Sequence, residues 1–250
     1  PPPPPPPFQA EDGIRDTSHC LVGSEMCIRD RFIWAHMIFE SSILLGMDAM
    51  YKVTRMFEGI PLLDTPQPGL VSAAAAIIFI LIAVHAILAL RKFPASYRQY
   101  REFNSHRVAM RHTDTTLWYV QVLTGFALFF LASAHLVVVF LQPDNIGPYA
   151  SSDRVWSGRF WIIYAPLLLC VHLHAGIGMY RLAMKWAPIP ARGAQKTRRR
   201  LKLAMWGIIF FFLCLGTVSL VTYMQIGRDH AAQAGERYVP SEPPVTPGAR

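Results

Sequence analysis

Charge is scarce in this sequence, and it has no cysteine framework. Only 16% of its 250 residues are charged, against 52% hydrophobic, which excludes an ordinary soluble domain, where about a quarter are charged. Of the four cysteines, Cys20 and Cys27 lie near the start and Cys170 and Cys214 inside apolar runs. No disulfide scaffold is indicated. No Cys-x-x-Cys-His motif occurs, so any haem would be held by coordination alone and be b-type. The net charge of +8 would ordinarily suggest nucleic acid or an anionic surface. Here the basic residues gather in two short stretches between apolar runs, where topology accounts for them, and no nucleic-acid partner is expected.

What the sequence has in abundance is long apolar runs, at roughly 32–47, 69–91, 117–141, 160–182 and 203–226. Each of the last four reaches the ~20 residues that cross a bilayer as a helix. The expected fold class is therefore all-α membrane protein, a bundle of five transmembrane helices. Pro66 and Pro68, Pro143 with Gly147-Pro148, and Pro188 with Pro190 punctuate the connections. Residues 1–31 open with seven prolines followed by AEDGIRDTSHCLVGSEMCIRDR, which has neither helical periodicity nor a signal-peptide pattern. The segment resembles translated sequencing-adapter text and is expected to be a foreign leader, leaving the first helix without its first turns. The five-helix domain then covers 32–228, and the tail 229–250, proline-rich from Tyr238 onward, is expected to be disordered.

The connection after the second run carries Arg91, Lys92, Arg98, Arg101, Arg107 and Arg111 against Glu102, and that after the fourth carries Arg181, Lys185, Arg192, Lys196, Arg198, Arg199, Arg200 and Lys202 with no acid. Both are expected on the cytoplasmic side of a bacterial inner membrane, with the carboxyl terminus periplasmic. They serve topology alone or form a docking surface for cytoplasmic subunits.

Five of the nine histidines, His36, His85, His135, His172 and His174, fall inside apolar runs, where ionisable side chains are costly and mark function. A lone one would serve as readily as an interhelical hydrogen bond. Five on four helices point to ligands. Depth supplies a second test. His85 lies six residues before Arg91 and His174 seven before Arg181, both near the cytoplasmic side, whereas His36 and His135 come late in their helices, toward Asp48 and Asp144. The histidines thus form one upper and one lower pair, the arrangement that two stacked haems require. Two axial imidazoles close both open positions on iron, which leaves electron transfer as the task. His172 and His174 stand about 200° apart on their helix, and spacing alone does not choose between them.

The segments AHMIFESSILLG, HAILALRKFPASYRQY, MRHTDTTLW, TGFALFFLASAHL and LHAGIGMYRLAMKW together resemble the dihaem cytochrome b subunit of fumarate reductase and succinate dehydrogenase, of the epsilon-proteobacterial quinol:fumarate reductase type, over about 32–228. The resemblance implies two haem b groups, with His85 and His174 holding the one proximal to a cytoplasmic iron–sulfur subunit and its flavoprotein partner, and His36 and His135 the distal one. It implies menaquinol oxidation near the distal haem, with Glu58 in RMFEGIP accepting a proton; from the residues alone Glu58 is a solvated loop charge. It also assigns His112, Trp118 and Lys185 to the haem propionates, where a solvated loop, an aromatic belt and snorkelling are the plainer accounts. This chain has His172 where well-known members carry a proton-carrying glutamate, so His172 is a candidate proton relay. The competing functions are the same scaffold reducing quinone for succinate oxidation, a haemless anchor or transporter, and a hydrogenase or formate dehydrogenase cytochrome b.

Overall fold

The computed structural model describes residues 32–60, 62–90, 96–110, 113–186 and 194–240. Among them there are helices and no strands. Helix α1 covers 32–40 and tightens into a 3-10 turn, Ser41–Leu45. Then follow α2 (Met47–Phe57), α3 (Pro68–Leu90), α4 (Tyr97–Met110), α5 (Thr113–Leu141), α6 (Pro148–Trp156), α7 (Trp161–Trp186) and α8 (Ala194–Asp229). Helices α3, α5, α7 and α8 are long and apolar enough to cross a bilayer, while the segment Phe32–Leu45 is shorter. The leader reading for 1–31 lies outside the described residues.

Four helices depart from the sequence expectation. The first basic connection contains α4, and α8 begins at Ala194 rather than near 203, because no glycine or proline interrupts residues 194–206 and a helix tolerates the run of Arg198, Arg199 and Arg200 where they reach water. At the opposite end, α2 and α6 lie in what read as plain loops. Gly147 at φ 125° and Pro148 at the first helical position start α6, since glycine alone takes that backbone freely and proline gives up no needed donor there.

Helix α3 packs on α5, α5 on α7, and α7 on α8, while α6 and the turn after α1 lean on the last turns of α8. Two polar clusters fasten the ends. At the end carrying the basic connections, Asp114 on α5 accepts from Tyr180 on α7 (3.1 Å) and pairs with Lys202 (2.6 Å) and Arg198 (3.5 Å) on α8. At the far end Tyr223 on α8 donates to the carboxylate of Glu40 (3.1 Å), and Ser219 donates to Ser41 (3.0 Å). Buried Leu117, Ile177, Tyr180, Met205 and Ile209 form the apolar core nearest the basic end, and Ile43, Met50, Val155 and Tyr223 form that at the far end.

The segment after α8, expected to be disordered from 229, is held as far as Pro240. The ring of His230 stacks on Tyr149 at 3.9 Å and bonds Asp153 at 3.0 Å, and Tyr238 donates to Asp48 at 2.6 Å. Stacking and hydrogen bonding fix it although its composition is polar. Residues 241–250 lie outside the described part.

Close approach of α6 and α8 depends on Gly227: a Cβ there would stand 2.8 Å from the Ser152 carbonyl carbon and 2.8 Å from the Trp156 Cβ. Gly227→Ala is expected to cost about 1–3 kcal/mol as overpacking, seen as a lower thermal unfolding midpoint in detergent. An unchanged midpoint would contradict this packing.

Candidate functional site: paired histidines along an intramembrane cavity

A cavity of about 940 Å³ runs between α1, α3, α5 and α7 and is lined by His36, His85, His135 and His174 among mostly apolar side chains. The histidines meet in two pairs. His36 on α1 faces His135 on α5 with ring centres 6.3 Å apart, and His85 on α3 faces His174 on α7 at 6.2 Å. These are the two pairs inferred from depth. His174 neighbours residues 121–125 of α5, ten to fourteen residues before His135, so the levels differ by roughly 15–20 Å.

The separations have a chemical meaning. An imidazole nitrogen lies about 1.2 Å from its ring centre and a metal–imidazole bond is about 2.0 Å, so two rings on opposite sides of one ion have centres about 6.4 Å apart. Both pairs match that spacing. No group of three or more His, Cys, Asp or Glu gathers as a metal cage among the described residues. Two imidazoles at this spacing would leave room for a group that brings its own further ligands, as a porphyrin's four nitrogens do.

The local sequence orients the rings. His174 donates from Nδ1 to the Gln121 backbone carbonyl at 2.9 Å, with Thr124 Oγ1 at 3.4 Å. In the neutral ring this leaves the Nε2 lone pair for a metal. Gly125 makes room: a Cβ there would stand 2.8 Å from His174 Cε1. His135 Nδ1 lies 3.4 Å from the Tyr164 hydroxyl, and His36 stacks on Phe32.

His172 points elsewhere. Its ring, 2% exposed, stacks against Phe212 of α8 at 6.0 Å, Nδ1 donates to Leu168 O at 2.7 Å, and Nε2 is buried without a partner. It does not line the cavity. The neighbouring glycines divide in the same way, since a Cβ on Gly178 would meet Gln121 of α5 and one on Gly176 would meet Ile209 of α8.

Trp118 and Lys185 line the cavity at the basic end, and His112 lies outside the described residues. Glu58 caps the end of α2, 4% exposed, with its carboxylate 2.5 Å from Arg55. It is not the solvated loop charge that composition suggests. Burial alone would lower the Arg55 guanidinium, but its contacts with Tyr51 and Glu58 raise it, so it remains a cation. Glu58 itself stands behind the cavity wall, to which Thr54 and Phe57 of the same helix contribute.

Several polar residues of the wall had no place in the sequence reading. Glu40 and Arg154 line the far part and Gln121 and Arg181 the basic part. Glu40 was legible as an acid within an apolar run, four residues after His36. The two arginines had been absorbed as charges that mark loop sidedness.

An all-helical bundle with histidines paired across an intramembrane cavity is the architecture of a respiratory membrane subunit. A model of the succinate dehydrogenase/fumarate reductase transmembrane subunit family matches residues 97–217. The fumarate reductase cytochrome b subunit of Helicobacter pylori strain 26695 is 45% identical over 199 residues, 80% of this chain and 76% of that protein. Its counterpart in strain J99 is likewise 45% identical over 199 residues, with the same coverage. That of Wolinella succinogenes is 44% identical over 198 residues, 79% of this chain and 77% of that protein. The chain belongs to the fumarate reductase cytochrome b subunit family.

Proposed function

We propose that this membrane subunit binds two haem b groups, the proximal one between His85 and His174 and the distal one between His36 and His135, and oxidises menaquinol for a fumarate reductase. With haem bound, the distal and then the proximal site would relay electrons from quinol toward an iron–sulfur subunit and its flavoprotein partner. Both partners dock at the basic end, on the cytoplasmic side of a bacterial inner membrane, which leaves the far end and the carboxyl terminus periplasmic. The observation that carries this is the spacing of the two imidazole pairs, 6.3 and 6.2 Å, along one apolar cavity.

When bound, each haem supplies a centre that accepts and returns one electron. The chain's own residues do the rest. His85 with His174 and His36 with His135 would each hold one haem through two imidazoles, which suits it to electron transfer rather than to oxygen or substrate chemistry. Apolar walls keep water away from the electron path. Trp118 and Lys185 offer donors to the cofactor's carboxylates at the basic end. At the far end Glu58 takes up a proton released by quinol and passes it to water on that side; its partner Arg55, already a cation, takes no proton and holds the carboxylate in place. The relatives are fumarate reductase subunits, which favours the fumarate-reducing direction; the matched family includes succinate dehydrogenase subunits as well, and the same residues serve either direction.

Replacing His36, His85, His135 or His174 by alanine is expected to remove one haem b per substitution, the same spectral component being lost within each pair. Reduced-minus-oxidised spectra of the purified complex read this out, and four variants that retain both haems would refute the assignment.

Glu58→Gln is expected to slow quinol oxidation about a hundredfold or more while both haems keep their spectra. Glu40 makes a specific comparison, because it lines the cavity directly and is held by Tyr223. If Glu40→Gln brings the loss and Glu58→Gln does not, the proton acceptor is Glu40.

A proton relay through His172 would run along the α7–α8 interface, where its Nε2 has no partner. In liposomes, His172→Ala is then expected to change the membrane potential generated per turnover. Unchanged turnover and potential would eliminate the relay.

A further inference from the structure

Gln121 makes two contacts to α7 that concern the proximal pair. Its backbone carbonyl accepts the Nδ1–H of His174 at 2.9 Å, and its side-chain Oε1 accepts Nη1 of Arg181 at 2.5 Å. His174, Gly178, Arg181 and Lys185 follow one another at spacings of four, three and four residues, a single face of α7. All four line the cavity. Gly178 provides the room in which the Gln121 amide sits, since a Cβ there would stand 2.9 Å from Nε2.

Arg181 lies two turns from His174, about 10 Å along the axis. The amide that holds it is neutral, so the guanidinium keeps its positive charge and only its direction is fixed. In a wall built mainly of hydrocarbon that charge is weakly screened and acts over such a distance. A fixed cation beside a redox centre favours the state carrying one more electron.

We infer that Gln121 is a positioning residue for the proximal site, setting the ring plane of His174 and holding Arg181 so that its charge raises the reduction potential of the haem bound between His85 and His174. The inference rests on the haem assignment proposed above. It concerns the tuning of that site.

The test is a redox titration of the purified complex, followed at the haem b absorption bands, for Arg181→Gln, Arg181→Lys and Gln121→Leu. Arg181→Gln shifts one midpoint downward, namely that of the component lost in His174→Ala, and leaves the other midpoint and the haem content unchanged. Arg181→Lys keeps the wild-type value. Gln121→Leu retains the backbone carbonyl but releases Arg181, and shifts the same midpoint in the same direction. An Arg181→Gln complex with both haems and unmoved midpoints overturns the inference. Loss of one haem in Arg181→Gln but not in Arg181→Lys also overturns it, because Arg181 is then an anchor. Retention of both haems in His174→Ala sinks the haem assignment instead.

Discussion

Four imidazoles inside a helical bundle, facing one another in pairs across an apolar cavity, are the constraint on which the rest of this structure depends. A ring nitrogen in hydrocarbon needs a partner, and a pair of rings whose centres stand 6.2 or 6.3 Å apart is too distant for mutual hydrogen bonding. The spacing suits something bound between the rings. Each pair also draws on two helices, so the cavity's shape and the relative depth of α1, α3, α5 and α7 are set by a common requirement.

The surrounding structure holds that geometry from both ends. Asp114 ties α5, α7 and α8 at one end, and Tyr223 with Glu40 and Ser219 with Ser41 tie α8 to the first segment at the other. Between these clusters the walls are mostly apolar. Glycines mark the places where helices or rings come closest: Gly125 beneath His174, Gly178 beside Gln121, and Gly227 against α6. Packing, capping and ligand orientation thus meet in a few residues, with Gln121 serving both a backbone and a side-chain role.

Much of this was legible in the sequence, for physical reasons. Apolar runs of membrane-spanning length give the long helices directly, and the distance of each histidine from the nearest charged end gives its depth and so its partner. Other features were not legible. The short amphipathic helices α2 and α6 hold too few residues for periodicity to distinguish them from loops, and α8 runs on through Arg198, Arg199 and Arg200 because charge by itself does not stop a helix. Spacing said that His172 and His174 face opposite ways but not which way each faces, since that depends on where α5 and α8 pack. Glu58 looked like a solvated charge because burial by neighbouring segments leaves no local signal. Arg154 and Arg181 sit near helix ends, where a positive charge is expected on topological grounds, so their position in the cavity wall became visible only in three dimensions.

The most direct test of the central claim is to count haem and examine its ligation in the purified complex, by pyridine haemochrome assay and low-temperature electron paramagnetic resonance. Two haem b per copy of this chain, both low-spin with two imidazole ligands, is the result expected from the paired histidines. A single haem per chain, or a high-spin five-coordinate signal that responds to carbon monoxide, would contradict it.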